Sequence, residues 1–251
     1  MRLVSLNTWK SEGDFPKRVH AMAEGLAALS ADVIALQEDL RTSDGLTHTA
    51  LALARALSMQ LTWAPARTKP RSVGLRRTVT SSGLAILCRQ PALEQRVIAL
   101  PEDVRDGERI AQCVRLPGGA GGWWLVNLHL THLPDCTDLR RMQLETVLQA
   151  MDRMARDQRV VLCGDFNARP ADAEIARFLS PDGPLVDVFA DRPKVTHVTE
   201  SGVALNLDHI FLRTVHGAQP FQVAAARVAL DRPGACGVMP SDHFAVCADL
   251  V

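Results

Sequence analysis

The chain has 251 residues, of which 47% are hydrophobic and 22% are charged. This composition is typical of a globular protein and excludes a disordered, collagen-like or low-complexity chain. The 28 basic and 28 acidic residues balance, which argues against a globally basic nucleic-acid-binding protein. No apolar run approaches the ~18 residues of a membrane span. We therefore expect one domain over residues 1–251, with no stable membrane association.

Taken in chain order, short apolar runs that end at a polar residue alternate with helical patterns. The first part of the chain predicts a strand at 2–7, a helix at 15–29, a strand at 32–38 and a helix at 49–57. Further on, the pattern predicts a strand at 125–129, a helix at 138–156 with Thr137 and Asp138 as its caps, and a strand at 160–165. This alternation favours a layered α/β fold whose strands are buried on both faces.

The middle of the chain follows a different plan. Three short strands, at 83–88, 96–99 and 110–116, are predicted without helices between them, and a glycine-rich turn at 117–122 follows. This meander excludes a purely parallel sheet of the Rossmann type. Neither a GxGxxG motif nor a Walker-type glycine loop is present.

Two features predict a cytoplasmic protein. Residues 1–9 already have the pattern of a strand, with no basic and apolar leader ahead of them. The six cysteines are scattered without a CxxC pair, so we expect reduced thiols, mostly in the core, rather than disulfides or a zinc site. We also expect a monomer.

Polar side chains stand where several of the apolar runs end, and Ser-Asp-His occupies 241–243. Oxygen donors of this kind suit Mg²⁺ or Mn²⁺ better than zinc. Any one of these residues could have a purely structural role, so the information lies in their joint order. The set comprises Asn7, Glu38, His129, Asp165, Asn167, Asp208, Asp242 and His243.

In this order the motifs resemble those of the endonuclease/exonuclease/phosphatase superfamily. They are Leu-Asn-Thr-Trp at 6–9, Gln-Glu at 37–38, Asn-Leu-His-Leu at 127–130, Gly-Asp-Phe-Asn at 164–167, Leu-Asp-His-Ile-Phe at 207–211 and Ser-Asp-His at 241–243. The resemblance spans nearly the whole chain. It implies a four-layer α/β sandwich, in which two mixed β-sheets pack face to face with helices outside. The active site is then expected at one end of the sandwich.

The resemblance also implies how the residues divide the work of phosphoester hydrolysis, which needs an in-line nucleophile and stabilisation of phosphate charge. Glu38, with Asn7 and Asp242, would hold the metal, Mg²⁺ or Mn²⁺. Asp165 would orient or deprotonate the attacking water, and the general base stays open between candidate groups. Asn167, His129 and His243 would donate hydrogen bonds to the phosphate or its leaving oxygen. Asp208 would hold His243 by a hydrogen bond.

Positive charge is concentrated in residues 45–93, which contain seven basic residues and no acidic one. Five of the seven lie between Arg67 and Arg77, a segment with Pro65, Pro70 and Gly74 that predicts a mobile loop between strands. In members of the superfamily the corresponding insertion borders the active-site cleft. We therefore expect this segment, and Arg76 and Arg77 in particular, to bind further substrate phosphates, although a solvated surface loop would account for the segment equally well. Arg140 falls on a family Arg-x-x-Gln motif and is a third candidate for substrate binding.

Our first hypothesis is a metal-dependent phosphodiesterase of nuclease type, with a phosphoester, nucleic acid among the options, as its substrate. The alternative is a phosphomonoesterase or phospholipase-C-like enzyme acting on a small phosphorylated molecule or lipid headgroup. A non-catalytic binding module is disfavoured because Glu38, Asp165 and His243 are all present. Two departures bear on the choice: the chain has no tyrosine, which family abasic-site endonucleases place where His129 stands, and Leu84 stands where many members have asparagine.

Overall fold

The computed structural model describes residues 1–119, 121–190, 192, 194–214 and 221–251. Within these residues the four helices are α1 (Phe15–Leu29), α2 (Thr49–Leu57), α3 (Thr137–Met154) and α4 (Ala173–Ala176). The strands of the same residues are β1 (Arg2–Asn7), β2 (Val33–Thr42), β3 (Gln60–Val73), β4 (Arg76–Cys88), β5 (Glu94–Ala99), β6 (Ile110–Leu116), β7 (Trp123–His129), β8 (Val160–Asp165), β9 (Leu185–Asp187), β10 (His197–Val198), β11 (Ala204–Leu205), β12 (Asp208–Arg213), β13 (Val223–Ala229) and β14 (Ala245–Leu250).

The strands form two mixed six-stranded sheets. The first has the order β13-β14-β1-β2-β4-β3, and the second has the order β5-β6-β7-β8-β12-β9, while β10 and β11 form a separate hairpin. The pairs β1–β2 and β7–β8 are parallel, and the other pairs in the two sheets are antiparallel. Parallel crossovers and a meander therefore coexist, as the alternating sequence patterns predict.

The two sheets pack face to face because successive side chains of a strand point to opposite faces. In β1, Leu3 lies in the core between the sheets, where it joins Ile86 of the first sheet and Leu125 and Val161 of the second. The next residue, Val4, points to the opposite face of its sheet, toward α1 and α2. Each apolar run of the sequence thus packs on two sides, against the other sheet and against the helices.

The helices cover the outer faces of the sheets. Met22 and Leu26 of α1, with Leu53 of α2, pack on the first sheet, and Leu144 and Val147 of α3 pack on the second. This arrangement confirms the expected four-layer α/β sandwich. Among the described residues no helix is both long and apolar enough to cross a membrane.

The predicted start of the third helix is wrong in detail. Helix α3 begins at Thr137, and Cys136 occupies the N-cap position without a side-chain cap hydrogen bond. Thr137 and Asp138 therefore lie in the first turn rather than at the cap. A carboxylate there is favourable because the helix dipole places partial positive charge at this end.

The expectation of a mobile loop between Arg67 and Arg77 is also wrong. These residues belong to a long hairpin in which β3 pairs with β4, from Gln60↔Cys88 to Val73↔Arg76, with Gly74 at φ 59° in the turn. The prolines that suggested a loop are compatible with this strand because β3 is the edge of its sheet. Consequently strand pairing fixes the face of the hairpin on which each basic residue of the segment lies.

Candidate active site

An open cleft of about 590 Å³ lies at one end of the sandwich. The carboxyl ends of β1, β2, β7 and β8 meet the amino-terminal parts of β4, β12 and β14 here, because the neighbouring antiparallel strands run the opposite way. Most of the residues predicted for the site line this cleft. They are Asn7, Glu38, His129, Asp165, Asn167, Asp242 and His243, and we call this set the centre.

A β-bulge directs Glu38 into the cleft. The register between β2 and β4 shifts between Leu36 and Asp39, so that Gln37 and Glu38 together stand opposite Leu84. Glu38 has φ 55°, a left-handed conformation that costs a non-glycine residue roughly 1–2 kcal/mol. Leu84, the departure from the family pattern, also lines the cleft beside this bulge.

The donors near Glu38 fit a hard divalent cation. Burial raises the pKa of Asp242, and the negative charge of Glu38 adds to that rise, so a cation between the two carboxylates would relieve their repulsion. Lys10 Nζ lies 2.5 Å from Glu38 Oε1, which shows that this carboxylate attracts positive charge. Asn7 adds an amide oxygen, which accepts a hydrogen bond from Trp9 N at 3.0 Å. Carboxylate and amide oxygens are the ligands that Mg²⁺ and Mn²⁺ prefer.

Other acidic and imidazole groups of the cleft could also hold a metal ion. The possible ligand atoms of Asp165, Asp208 and His243 lie within 4.8 Å of one another, and the same is true of His197, Asp242 and His243. His243 belongs to both groups. Asp242, in the second group, lies close enough to Glu38 for the charge of that carboxylate to raise its pKa. More than one set of the described residues could therefore bind a cation at this end of the sandwich.

The carboxylate of Asp165 lies between two imidazoles. His129 Nε2 is 3.4 Å from Asp165 Oδ2, and His243 Nε2 is 3.7 Å from the same oxygen. On its far side His243 Nδ1 is 2.8 Å from Asp208 Oδ2, which is the carboxylate–imidazole bond that the family resemblance implies. Asn7 Nδ2 donates a further hydrogen bond to Asp165 Oδ2 at 3.0 Å.

The two imidazoles differ in charge because their surroundings differ. Burial lowers the pKa of His129 well below its ordinary value, and the nearby Arg109 lowers it further. Burial alone would lower the pKa of His243 too, but the carboxylates of Asp208 and Asp165 outweigh it and raise that pKa. Burial also raises the pKa of Asp165, against the opposing charge of His243. The centre therefore combines a neutral and a protonated histidine around one carboxylate.

Local backbone geometry places Asp165 and Asn167 at this position. Gly164 has φ 142°, and a Cβ at this residue would lie 1.9 Å from Leu128 O. Glycine therefore lets β7 and β8 approach so that His129 and Asp165 pair in register. Asn167, at φ 49°, donates its backbone N–H to Asp165 Oδ1 at 2.9 Å.

The remaining predicted residues lie outside the cleft lining. Asp208 is fully buried beneath His243. Arg140 is buried too, where it pairs with Glu174 at 2.9 Å and donates to Leu133 O at 2.8 Å, so it supports the loop after His129.

Arg76 and Arg77 are not brought to the cleft either. Arg76 pairs with Asp44 at 2.7 Å on the exposed side of the hairpin, and Arg77 stands opposite Ser72 near the hairpin tip. Both are exposed because they flank a turn rather than a loop that folds over the centre.

The cleft contains basic residues other than Arg76, Arg77 and Arg140, the three named individually for substrate binding. Arg67, Lys69 and Arg71 of β3 form one wall, and Arg105 and Arg109 stand in the loop before β6. The signal for the first three was their alternation at every second position, which is visible only if the segment is taken as a strand. His197 was missed for a different reason: its ring lies 4.5 Å from that of His243, and no local pattern announces that contact.

Comparisons with known proteins show the family and the fold. Residues 4–243 match the Endonuclease/Exonuclease/phosphatase family. The search among curated proteins gave no match.

Three solved structures show the same fold. D. rerio TDP2 in complex with a single-strand DNA product has a TM-score of 0.76 at 20% identity, covering 100% of this chain and 98% of that chain. The human Nocturnin catalytic domain with a bound sulfate has 0.76 at 21%, covering 100% and 93%. The mannosyl-6-phosphatase Bt3783 of Bacteroides thetaiotaomicron VPI-5482 has 0.75 at 19%, covering 100% and 99%.

Proposed function

This chain belongs to the Endonuclease/Exonuclease/phosphatase family of metal-dependent phosphoesterases, and from that premise we propose that it hydrolyses phosphodiester bonds in nuclease-type substrates. The observation that carries the proposal is the buried carboxylate of Asp165 between His129 and His243, at 3.4 and 3.7 Å, in the cleft that Glu38 and Asp242 also line. In-line attack of water on phosphorus needs an oriented water and stabilisation of phosphate charge, and a carboxylate, two imidazoles and a cation site can supply both.

Glu38, Asp242 and Asn7 would hold the ion, Mg²⁺ or Mn²⁺. When bound, such an ion polarises a phosphoryl oxygen and stabilises the charge that develops there. Lys10 pairs with Oε1 of Glu38 at 2.5 Å and would compete with a metal for this oxygen.

Asp165 orients the attacking water and accepts its proton. Burial raises the pKa of this carboxyl, which brings it closer to the range in which a general base is effective near neutral pH. The Asn167 N–H and the Asn7 amide hold the two oxygens of the carboxylate, at 2.9 and 3.0 Å, so its orientation is fixed before substrate arrives.

His243 donates a hydrogen bond to a phosphoryl oxygen as a cation. Asp208 fixes its ring through Nδ1 at 2.8 Å and raises its pKa, which leaves Nε2 protonated toward the cleft. His129 supplies a second, neutral donor for the phosphate or the leaving oxygen, and Asn167 lies beside it in the lining. These roles divide charge stabilisation and proton transfer between different side chains.

A diester is favoured over a monoester because the cleft continues beyond the centre. Its lining extends to β3 on one side and to the loop at 105–109 on the other, which leaves room for groups on both sides of the phosphorus. The structure of D. rerio TDP2 with a single-strand DNA product supports nucleic acid as the class of substrate to test first.

A panel of substrates tests the proposal. Hydrolysis of bis-p-nitrophenyl phosphate, p-nitrophenyl phosphate, single-stranded DNA and RNA is measured with Mg²⁺, with Mn²⁺ and with EDTA. We expect metal-dependent cleavage of diesters, reduced in kcat by about 10²–10⁴-fold in Asp165→Asn and in His243→Gln. His20→Gln, an exposed histidine of α1, is the matched control. Cleavage restricted to monoesters supports the phosphomonoesterase instead, and diester cleavage retained in both centre variants refutes the assignment.

We further propose a cytoplasmic location. All six cysteines are free thiols, and Cys88, Cys113, Cys163 and Cys247 are buried in the core. Free thiols in these numbers are usual in a reducing compartment.

A further inference from the structure

Three basic side chains of β3 stand in a row along the cleft, and we call Arg67, Lys69 and Arg71 the cationic strip. They occupy alternate positions of one strand after its bulge at Pro65/Arg67, so they share a face. Alternate residues of a strand are separated by roughly 6.5–7 Å. The backbone positions of the strip therefore repeat regularly beside the centre.

Neutral acceptors hold two members of the strip in place. Arg71 Nη1 donates to Thr80 Oγ1 at 2.6 Å, and Nη2 donates to Ser82 Oγ at 3.0 Å. Arg67 donates to the backbone carbonyl of Asp106 across the cleft. These hydrogen bonds orient the guanidinium groups without neutralising their charge.

The strip differs from the other basic residues of the cleft in having no acidic partner. Lys10 pairs with Glu38, and Arg109 pairs with Asp106. Arg105 pairs with two further aspartates, Asp103 and Asp135. Across the part of the chain that the structure describes, no carboxylate lies within ion-pairing distance of the strip.

Mutual repulsion within the strip supports the same conclusion. Partial burial lowers the pKa of Lys69, and the neighbouring charges of Arg67 and Arg71 lower it further. Like charges that a sheet holds together are stabilised by an external anion. Hence the strip is poised to bind anionic groups that lie outside the centre itself.

We propose that the cationic strip is a second phosphate-binding site, which holds phosphates next to the scissile one along a single-stranded nucleic acid. The inference rests on the proposed phosphodiesterase function. Proteins that bind single strands use a positively charged groove that follows the nucleic-acid backbone, so one strand can run along β3. A duplex would need a second row of free charges on the opposite wall, but the arginines there are already paired with aspartates.

Lys69 allows a sharp test because it is exposed and its replacement leaves the bonds of Arg67 and Arg71 intact. The variants are Lys69→Gln, Lys69→Arg and Arg77→Gln. Arg77 is the matched control, since it belongs to the same hairpin but points to the opposite face, where it stands beside Ser72. Values of kcat/KM are measured for a thymidine octanucleotide, for the same sequence in a duplex and for bis-p-nitrophenyl phosphate, at several salt concentrations.

For Lys69→Gln we expect a loss on the octanucleotide at least fivefold greater than on bis-p-nitrophenyl phosphate. The negative slope of log kcat/KM against log salt should also become shallower by about 0.7, which is the effect of losing one phosphate contact on a single strand. Lys69→Arg should restore most of the activity on the octanucleotide and most of the salt dependence. Arg77→Gln should match the wild type. The wild type should prefer the single strand to the duplex.

Several results would overturn the inference. If Lys69→Gln affects both substrates equally, or if Arg77→Gln has the same effect, the strip does not bind the substrate. Equal rates on duplex and single strand contradict the single-strand assignment. Each of these outcomes leaves diester hydrolysis intact, whereas a wild type without any diesterase activity rejects the proposed function and the inference together.

Discussion

At the scale of single residues, the centre depends on how burial and neighbouring charge act on chemically identical groups. His129 and His243 approach the same oxygen of Asp165, yet their pKa values move in opposite directions because only His243 is bonded to Asp208. Asp208 itself never reaches the cleft. Its contribution is to keep His243 charged and correctly turned.

His197 packs against His243, and its removal should weaken catalysis without weakening substrate binding. The two rings are 4.5 Å apart, and His197 Nδ1 is 3.0 Å from the carbonyl of Asp242. We expect His197→Ala to lower kcat for bis-p-nitrophenyl phosphate by about tenfold with KM nearly constant, because small displacements of a catalytic group are costly. His197→Phe should recover most of kcat. An alanine variant as active as the wild type contradicts this positioning role.

Asp106 should make the stability of the protein depend on pH. Burial alone raises the pKa of its carboxyl, but hydrogen bonds from His132 and Arg109 outweigh burial and hold the pKa below its ordinary value. A folded-state pKa below the unfolded value gives stability that is complete above about pH 4 and is lost as the pH falls further.

The measurement is urea unfolding of wild type and Asp106→Asn at pH 5.5 and at pH 3. At pH 5.5 we expect the variant to be less stable by about 1–3 kcal/mol, and at pH 3 the difference should shrink. Asp157→Asn, an exposed aspartate, serves as control. A difference that is the same at both pH values would contradict the assignment.

At the scale of elements, one buried arginine donates hydrogen bonds to both the loop that follows β1 and the loop that precedes β14. Arg18 of α1 is 1% exposed and donates to five backbone carbonyls, those of Thr8, Trp9, Lys10, Glu12 and Pro240. The first loop carries Lys10 and the second carries Asp242. Helix α1 thereby positions two segments that are more than 200 residues apart.

Replacing this arginine should destabilise the fold as well as the centre. Arg18→Met leaves several buried carbonyls without a donor, and we expect a loss of at least about 3 kcal/mol of unfolding free energy. Lys17→Met, an exposed neighbour on the same helix, should change stability by less than about 0.5 kcal/mol. Equal urea midpoints for the two variants would show that the carbonyls find other partners.

Gly164 determines how closely the strands β7 and β8 approach each other. A Cβ at this residue meets Leu128 O at 1.9 Å, so Gly164→Ala has to push the two strands apart. We expect this variant to lose more than about 2 kcal/mol of stability and most diesterase activity, since His129 and Asp165 separate. Gly45→Ala, at a turn glycine with open space around it, controls for the backbone strain of a positive φ. A Gly164→Ala variant with wild-type stability would contradict the close approach of these strands.

The elements also show where sequence patterns succeed and where they fail. Buried strands such as β1 and β8 are predicted to the residue, because their apolar runs are too short for a helix and end at a polar residue. Of the β3–β4 hairpin only the strand at 83–88 is predicted, because much of the rest faces solvent and its prolines and arginines resemble a loop. As a result, the hairpin places Arg67, Lys69 and Arg71 in the lining of the cleft, and not Arg76 and Arg77.

At the scale of the whole molecule, the fold joins the ends of the chain. Strand β1 pairs with β2 on one side and with β14 on the other, which brings Asn7 next to the loop that carries Asp242; Ser241 Oγ donates to Asn7 O at 2.6 Å. We propose on this ground that residues 1–251 fold as one domain. Motif order along the chain could predict the members of the centre, but not contacts such as His197 with His243, which arise only after the sheets have packed.

The convergence of Glu38 and Asp242 on a divalent cation is tested most directly by metal binding. Mn²⁺ is titrated into the wild type, Glu38→Gln and Glu108→Gln, and free Mn²⁺ is followed by electron paramagnetic resonance. Glu108 is an acidic residue at the edge of the same cleft and serves as the matched control. We expect Glu38→Gln to weaken Mn²⁺ binding by at least about tenfold and Glu108→Gln to bind as the wild type does. Undiminished Mn²⁺ affinity in Glu38→Gln would contradict the account.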